Sequence, residues 1–222
     1  PNHSTEPQVD SSSPCITKDT SKCILCGDCV RMCNEVQRVG AIDFAHRGSN
    51  MTISTAFDMP LSESGYVSCG QCAAGCPTGA IVVQDDSEKV WAGLSDPQVK
   101  VTAQIAPAVR VAMGKELGLG QGENAMGKIV AALKRMGFAE VYDTATGADL
   151  TVLEESNELL ARLEKGGHTV PLFTSCCPAW VRYCEERHPE LLEHVSTCRS
   201  PMEMFAAVLK EQGRTSSRRQ MH

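Results

Sequence analysis

Most of this chain's twelve cysteines fall into three tight groups, and any fold the chain adopts must accommodate them. The first group runs Cys23-x2-Cys26-x2-Cys29-x3-Cys33 and the second Cys69-x2-Cys72-x3-Cys76-Pro77. Thiolates at this spacing wrap an iron–sulfur cubane, and the last cysteine of each run reaches across to the other cluster. Structural zinc is the competing reading for these groups. A tetrahedral zinc hairpin prefers two separated Cys-x2-Cys pairs, which suits the first group less well than a cubane does. The third group, Thr174-Ser175-Cys176-Cys177-Pro178-Ala179-Trp180, marks a second domain.

Composition narrows the classes further. The net charge of −6 and a pI near 5.5 give no reason to expect a nucleic-acid or membrane-surface partner. No run approaches the ~18 apolar residues of a membrane span. Residues 1–14 are polar and Ser-rich, with no hydrophobic signal segment. A reducing, cytoplasmic location is therefore expected, where paired Cys-x2-Cys spacing means metal rather than disulfide.

Residues 1–14 read as a disordered tail, 15–87 as an iron–sulfur domain, 88–98 as a polar linker, 99–212 as an α/β region and 213–222 as a second disordered tail. The iron–sulfur stretch contains an internal repeat. Cys33 leads to Gly40-Ala41-Ile42 and Cys76 to Gly79-Ala80-Ile81, each beginning a short strand as in a pseudo-twofold ferredoxin fold. Beyond it, Val99 to Ile105 alternates like a strand, and Pro107 opens a helix ending near Gly118. Residues 124–136 read as an amphipathic helix, Val141-Tyr142 as a strand, and Asp149 as the cap of a helix running to Lys165. Val170 to Thr174 reads as a third strand, followed at once by Cys176, Cys177 and a helix with Pro178 in its first turn. A last helix starts at Ser200-Pro201 and fades near Gln212. The fold class expected is an α+β, ferredoxin-like two-cluster domain followed by a partial α/β domain of parallel strands with helices.

The three cysteine groups, with Asn34-Glu35-Val36-Gln37 after the first and Thr-Ser-Cys-Cys-Pro-Ala-Trp as the third, resemble the iron-only (FeFe) hydrogenases across residues 15–212. The resemblance implies an H-cluster, a 4Fe–4S cubane joined through a cysteine to a two-iron subsite. It makes Cys177 the first ligand of that cubane and Cys176 the thiol that passes protons. Glu158, Ser196 and Glu155 then continue the proton path, with Arg162 nearby, and Ser200 to Phe205 corresponds to the family's SPQQMF segment. The family's later ligand motifs, MPCxxKxxE and ExMxCxxGCxxGGG, are not among these 222 residues. The chain alone is accordingly not expected to turn over hydrogen.

A second departure lies in the dicluster region. The pattern C-x2-C-x2-C-x3-CP read backward from Pro77 calls for a cysteine at position 66, where this chain has Tyr66. One site keeps Cys23, Cys26, Cys29 and Cys76. The other has Cys33, Cys69 and Cys72, and three outcomes stand open for it: a 3Fe–4S cluster, a 4Fe–4S cluster completed by an oxygen ligand or a remote cysteine such as Cys15, or an empty site.

Two functions follow from this reading. The first is an electron-transfer subunit, hydrogenase-like but without its own complete H-cluster. It would relay single electrons beside a flavin- and NAD(P)-linked dehydrogenase, a hydrogenase, a formate dehydrogenase or a ferredoxin. The second is half of a split hydrogenase whose H-cluster another chain completes. Simpler readings compete at several residues. Cys15, Cys184 and Cys198 suit small packing residues. Glu154, Glu155, Glu158 and Glu164 suit a solvated acidic face, and Met202, Met204 and Phe205 the buried face of a helix.

Overall fold

The computed structural model describes residues 8–120 and 122–219, with side chains to residue 212. Of the expected tails, 1–14 and 213–222, residues 1–7 and 220–222 lie outside the described residues. Among the described residues seven short strands occur: Val9–Asp10 (β1), Ile16–Asp19 (β2), Asp43–Ala45 (β3), Thr52–Ser54 (β4), Ile81–Val83 (β5), Thr102–Ile105 (β6) and Glu140–Asp143 (β7). The α-helices are Asp28–Arg31 (α1), Gln71–Ala74 (α2), Ser87–Ser95 (α3), Pro107–Ala112 (α4), Met126–Arg135 (α5), Ala145–Glu164 (α6), Pro178–Arg187 (α7) and Pro201–Arg219 (α8).

These elements divide into two compact units. The first draws on the described residues of Pro1–Asp85 together with Pro178–Leu192. Its central sheet has the order β1-β2-β5, all antiparallel, with Ile16 opposite Val83 and Lys18 opposite Ile81. The second half of the repeat thus enters this sheet, whereas β3 pairs with β4 in a separate hairpin. The first Gly-Ala-Ile is not itself a strand; Ala41 and Ile42 are buried instead, just ahead of β3. The apolar core is small and contains Ile16, Val39, Ile42, Leu61 and Ile81 packed with Cys29, Cys33 and Cys72. Part of the expected N-terminal tail is ordered: Val9 pairs with Asp19, and Asp10 Oδ2 accepts from the Leu61 amide at 3.0 Å.

Helix α7 belongs to this unit rather than to the α/β region where its sequence position put it. Arg182 Nη2 donates to the Ser64 carbonyl at 3.3 Å, Arg187 donates to the Val39 carbonyl, and Tyr183 packs on the core. Three contacts of one helix face with loops more than a hundred residues upstream are invisible to local periodicity.

The second unit comprises Asp86–Cys177 and the described residues of Glu193–His222. Strands β6 and β7 run parallel, with Ala103 opposite Val141 and Ile105 opposite Asp143, and α4 and α5 form the crossover between them. Ile105, Ala125 and Ile129 make its small core. The expected linker is largely helix α3, whose Gly93 and Leu94 approach Val101 and Gly137. Helix α6 starts four residues before Asp149, because the Asp143 carboxylate accepts from the Ala145 amide at 2.9 Å and turns the chain into it. The expected third strand is reduced to one parallel bridge, Phe173 with Val195. Helix α8 continues to Arg219, past the expected fade near Gln212.

Helices α6 and α8 touch at Gly147, where an added Cβ would lie 2.2 Å from the Pro201 carbonyl oxygen. Phe205 is buried there, and its ring meets Tyr142 edge-on at 5.4 Å. Met202, expected on the same buried face, is instead 59% exposed.

Candidate metal centres

The first cysteine run is shaped by Gly27, which sits at φ +78° between Cys26 and Asp28. That left-handed turn favours glycine, and an added Cβ would also meet the Phe44 ring at 2.9 Å. The chain then enters α1, which carries Cys29 inward. The outcome is a hollow ringed by Cys23, Cys26, Cys29 and the distant Cys76. Among the described residues, no three His, Cys, Asp or Glu side chains close on one point as a single metal ion requires. The four sulfurs surround a space instead.

The sulfurs of this ring sit in unlike surroundings. Burial, reinforced by the neighbouring Cys23, pushes the Cys29 thiol up to about 11. Burial also acts to raise Cys76, but the amides of Ile81, Thr78 and Ala80 and the Thr78 hydroxyl outweigh it and hold this thiol below its ordinary value. Thr78 Oγ1 lies 3.8 Å from Cys76 Sγ. Amides aimed at sulfur stabilise a thiolate and tune any cluster it holds. Lys18, which the sequence reading did not single out, also lines the hollow; it is buried and its Nζ donates to the Ile53 carbonyl at 3.3 Å. Four cysteines lining one hollow, with N–H donors at a sulfur, fit a 4Fe–4S cluster.

The second run repeats this geometry. Gly70 takes φ +70° between Cys69 and Gln71, and α2 follows as α1 does. Cys72 and Cys33 are buried in the core and Cys69 is half-buried. Burial, then the nearby Cys69 and Cys33, pushes the Cys72 thiol up to about 12. The Ala41 amide donates to Cys33 Sγ at 3.3 Å. Tyr66 is 3% exposed in the same core, and its phenol oxygen accepts from the Gly70 amide at 3.3 Å. Burial, then the Cys72 and Cys69 thiols, raises the phenol's pKa above its ordinary value.

In the other unit, Cys176 and Cys177 are exposed. Of the sequence-predicted relay, the structure joins Glu158 and Ser196, whose hydroxyl donates at 2.7 Å. Arg162 Nη2 donates to Glu158 Oε1 at 2.6 Å, and the Thr197 amide approaches both oxygens at 3.2 and 3.3 Å. Glu158 is thus no part of a solvated acidic face. Burial acts to raise its carboxyl, yet Ser196, Arg162 and the Thr197 amide outweigh that and hold it below the ordinary range. The described network includes neither Cys176 nor Glu155, which lines a surface hollow with Val170 and Leu172. Cys198, read as packing, borders the network: its thiol lies 3.9 Å from Glu158 Oε2, and its carbonyl accepts from Ser175. No spacing in the sequence points to Cys198. The packing reading suits Cys184, which is fully buried.

Residues 22–80 match the family described as 4Fe-4S dicluster domain, and residues 99–222 match Iron only hydrogenase large subunit, C-terminal domain. The chain belongs to the iron-only (FeFe) hydrogenase family. It carries a 4Fe–4S dicluster domain and part of the H-cluster domain. Over 203 residues it is 44% identical to the NADP-reducing hydrogenase subunit HndD of Solidesulfovibrio fructosivorans, covering 89% of this chain and 35% of that protein. It is 38% identical to the periplasmic [Fe] hydrogenase large subunit of Nitratidesulfovibrio vulgaris, over 95% of this chain and 48% of that one. Among solved structures, a variant of apo [FeFe]-hydrogenase HydA1 from Chlamydomonas reinhardtii superposes with a TM-score of 0.52 at 40% identity, covering 59% of this chain and 35% of that chain. This FeFe hydrogenase family member therefore spans roughly a third to a half of the length of these relatives. Among its described residues no helix is long and apolar enough to cross a membrane.

Proposed function

We propose that this chain relays single electrons through two iron–sulfur sites inside a larger hydrogenase-linked redox assembly. Cys23, Cys26, Cys29 and Cys76 hold the first cluster, and Cys33, Cys69 and Cys72 hold the second. The observation that carries the reading is the hollow ringed by four cysteines from two distant runs. A cubane supplies a one-electron couple; the protein supplies its position and potential. Lys18 brings positive charge to the first site, and the amides over Cys76 stabilise its thiolate. A dehydrogenase that binds flavin and NAD(P), a hydrogenase, a formate dehydrogenase or a ferredoxin is the class of partner proposed. Support comes from the HndD relative, which is named as a subunit of an NADP-reducing hydrogenase. The cysteine-rich composition favours a reducing, cytoplasmic setting, although one relative is named periplasmic.

Anaerobic reconstitution tests this reading. Low-potential iron–sulfur EPR signals that Cys29→Ser and Cys76→Ser diminish would support it. A colourless protein that binds zinc alone would end it.

The Glu158–Ser196 hydrogen bond favours a second reading beside the first. Cys177 would contribute one ligand to an H-cluster whose remaining ligands come from outside these residues. Cys176, Glu155, Ser196 and Glu158 would then carry protons to it. Carbonyl and cyanide infrared bands from the assembled protein, lost in Cys177→Ser, are its signature. Bands unchanged in that variant would exclude this role for Cys177.

A further inference from the structure

We propose that the second metal site is a 3Fe–4S site held by Cys33, Cys69 and Cys72, with the Tyr66 phenol ring closing the corner where a fourth iron would sit. The proposal rests on the dicluster reading above and decides which cluster the second site takes.

The two cysteine loops are conformational repeats. Gly27 and Gly70 share a left-handed backbone, and each opens a four-residue helix that carries the next cysteine into the core. In this correspondence Cys26 matches Cys69, Cys29 matches Cys72, and Cys23 matches Tyr66. Cys23 is one of the four sulfurs around the first hollow. Tyr66 accordingly stands at the fourth corner of the second cradle, and it points into that cradle. Its ring is buried in the core that contains Cys33 and Cys72, and its oxygen reaches the Gly70 amide inside the Cys69–Cys72 loop.

Side-chain length decides what this corner can hold. A cysteine places sulfur one bond beyond Cβ and its iron one bond further. In tyrosine those places are taken by ring carbons, which do not bind iron, and the oxygen lies well past them at Gly70. The corner is filled by carbon rather than left vacant for water. A cubane lacking one corner has three irons, each with one terminal thiolate, and three cysteines satisfy that requirement. The Ala41 amide on Cys33 Sγ supplies the N–H–sulfur contact that such a thiolate accepts.

Cys15 is the rival fourth ligand. It packs at the edge of the same core and lines a surface hollow with Cys69. Its backbone is pinned beside β2, with its carbonyl accepting from the Gln84 amide at 2.8 Å and its amide donating to Ser13 Oγ at 3.1 Å.

The test is anaerobic reconstitution of the full chain, read by iron and sulfide analysis, EPR and Mössbauer spectroscopy. Wild type is expected to hold about seven irons, with a 3Fe–4S component beside one cubane. Tyr66→Cys, which restores the thiol, is expected to raise the count to about eight and convert that component into a second cubane. Cys15→Ala should leave the wild-type spectra unchanged. Two cubanes in wild type overturn the proposal, and conversion to a three-iron cluster in Cys15→Ala would then identify Cys15 as the ligand. One cubane with an empty second site also overturns it. Loss of the Cys23/Cys26/Cys29/Cys76 cubane as well would sink the electron-relay reading itself, and this assignment with it.

Discussion

Ser196 Oγ donates to Glu158 Oε2 at 2.7 Å, joining residues 38 apart in sequence. The same carboxylate takes the Arg162 guanidinium on its other oxygen, and both members of that ion pair are largely shielded from solvent. Arg162 also donates to the carbonyls of Thr169, Glu193 and Val195, so a single side chain ties α6 to the segments on either side of the exposed cysteine pair.

A pH dependence follows from this cluster. The Glu158 carboxyl is held below its ordinary value of 4.5 in the folded chain. A lowered carboxyl contributes stability that is fully present above the unfolded value and is lost as pH falls through the folded one. Glu158→Gln should therefore cost about 1–3 kcal/mol near neutral pH, with the deficit shrinking under acid. Urea unfolding followed by circular dichroism at neutral and acidic pH measures it. An equal deficit at both would contradict the assignment.

Gly147 reverses a common rule. Glycine to alanine within a helix ordinarily stabilises by about 1 kcal/mol. Here the new methyl would overlap the Pro201 carbonyl and press on Phe205, so α6 and α8 must separate. Gly147→Ala should destabilise the α/β unit by about 1–3 kcal/mol. A raised thermal midpoint would show that the two helices do not pack this closely.

Lys18 brings an ammonium group to the first cluster site. Favouring the more negative, reduced state, it should raise that cluster's potential. Lys18→Met retains the apolar stem and removes the charge, and is expected to lower the potential by about 50–100 mV. Redox-titrated EPR reads this directly; an unmoved midpoint would mean that the charge is screened.

Arg187 acts on the second site at one remove. It caps the Val39 carbonyl, while the Val39, Gly40 and Ala41 amides contact the Cys33 carbonyl and sulfur at 2.9, 3.4 and 3.3 Å. Arg187→Gln should loosen this clasp, speeding iron loss from the second cluster to a chelator several-fold while sparing the first. Equal loss rates from both sites would mean that the helix contact is merely structural.

Much of the dicluster site was legible in the chain as written. Cys26-Gly27-Asp28-Cys29 and Cys69-Gly70-Gln71-Cys72 carry their own local instruction, because glycine's freedom at positive φ and the thiol spacing are properties of a few consecutive residues. Tyr66 also stood out, as a break in a strict pattern. The strand at Val9–Asp10 did not, since two polar-flanked residues become a strand only when Asp19 and Lys18 are already in place beside them. Helix α3 reads as a linker in the sequence because the residues it packs against, Val101 and Gly137, come later in the chain.

What the residues determined alone was the chemistry that sulfur spacing and left-handed glycines impose on a short loop. Three-dimensional packing decided which distant groups meet: Lys18 beside the first ring of thiols and α7 against the core in the dicluster unit, and Ser196 on Glu158 in the other. The difference is physical. The turns within each cysteine run are set by local backbone geometry, whereas Lys18 at the first hollow and Ser196 at the shielded Glu158 are brought in by contacts between segments whose meeting no local pattern records.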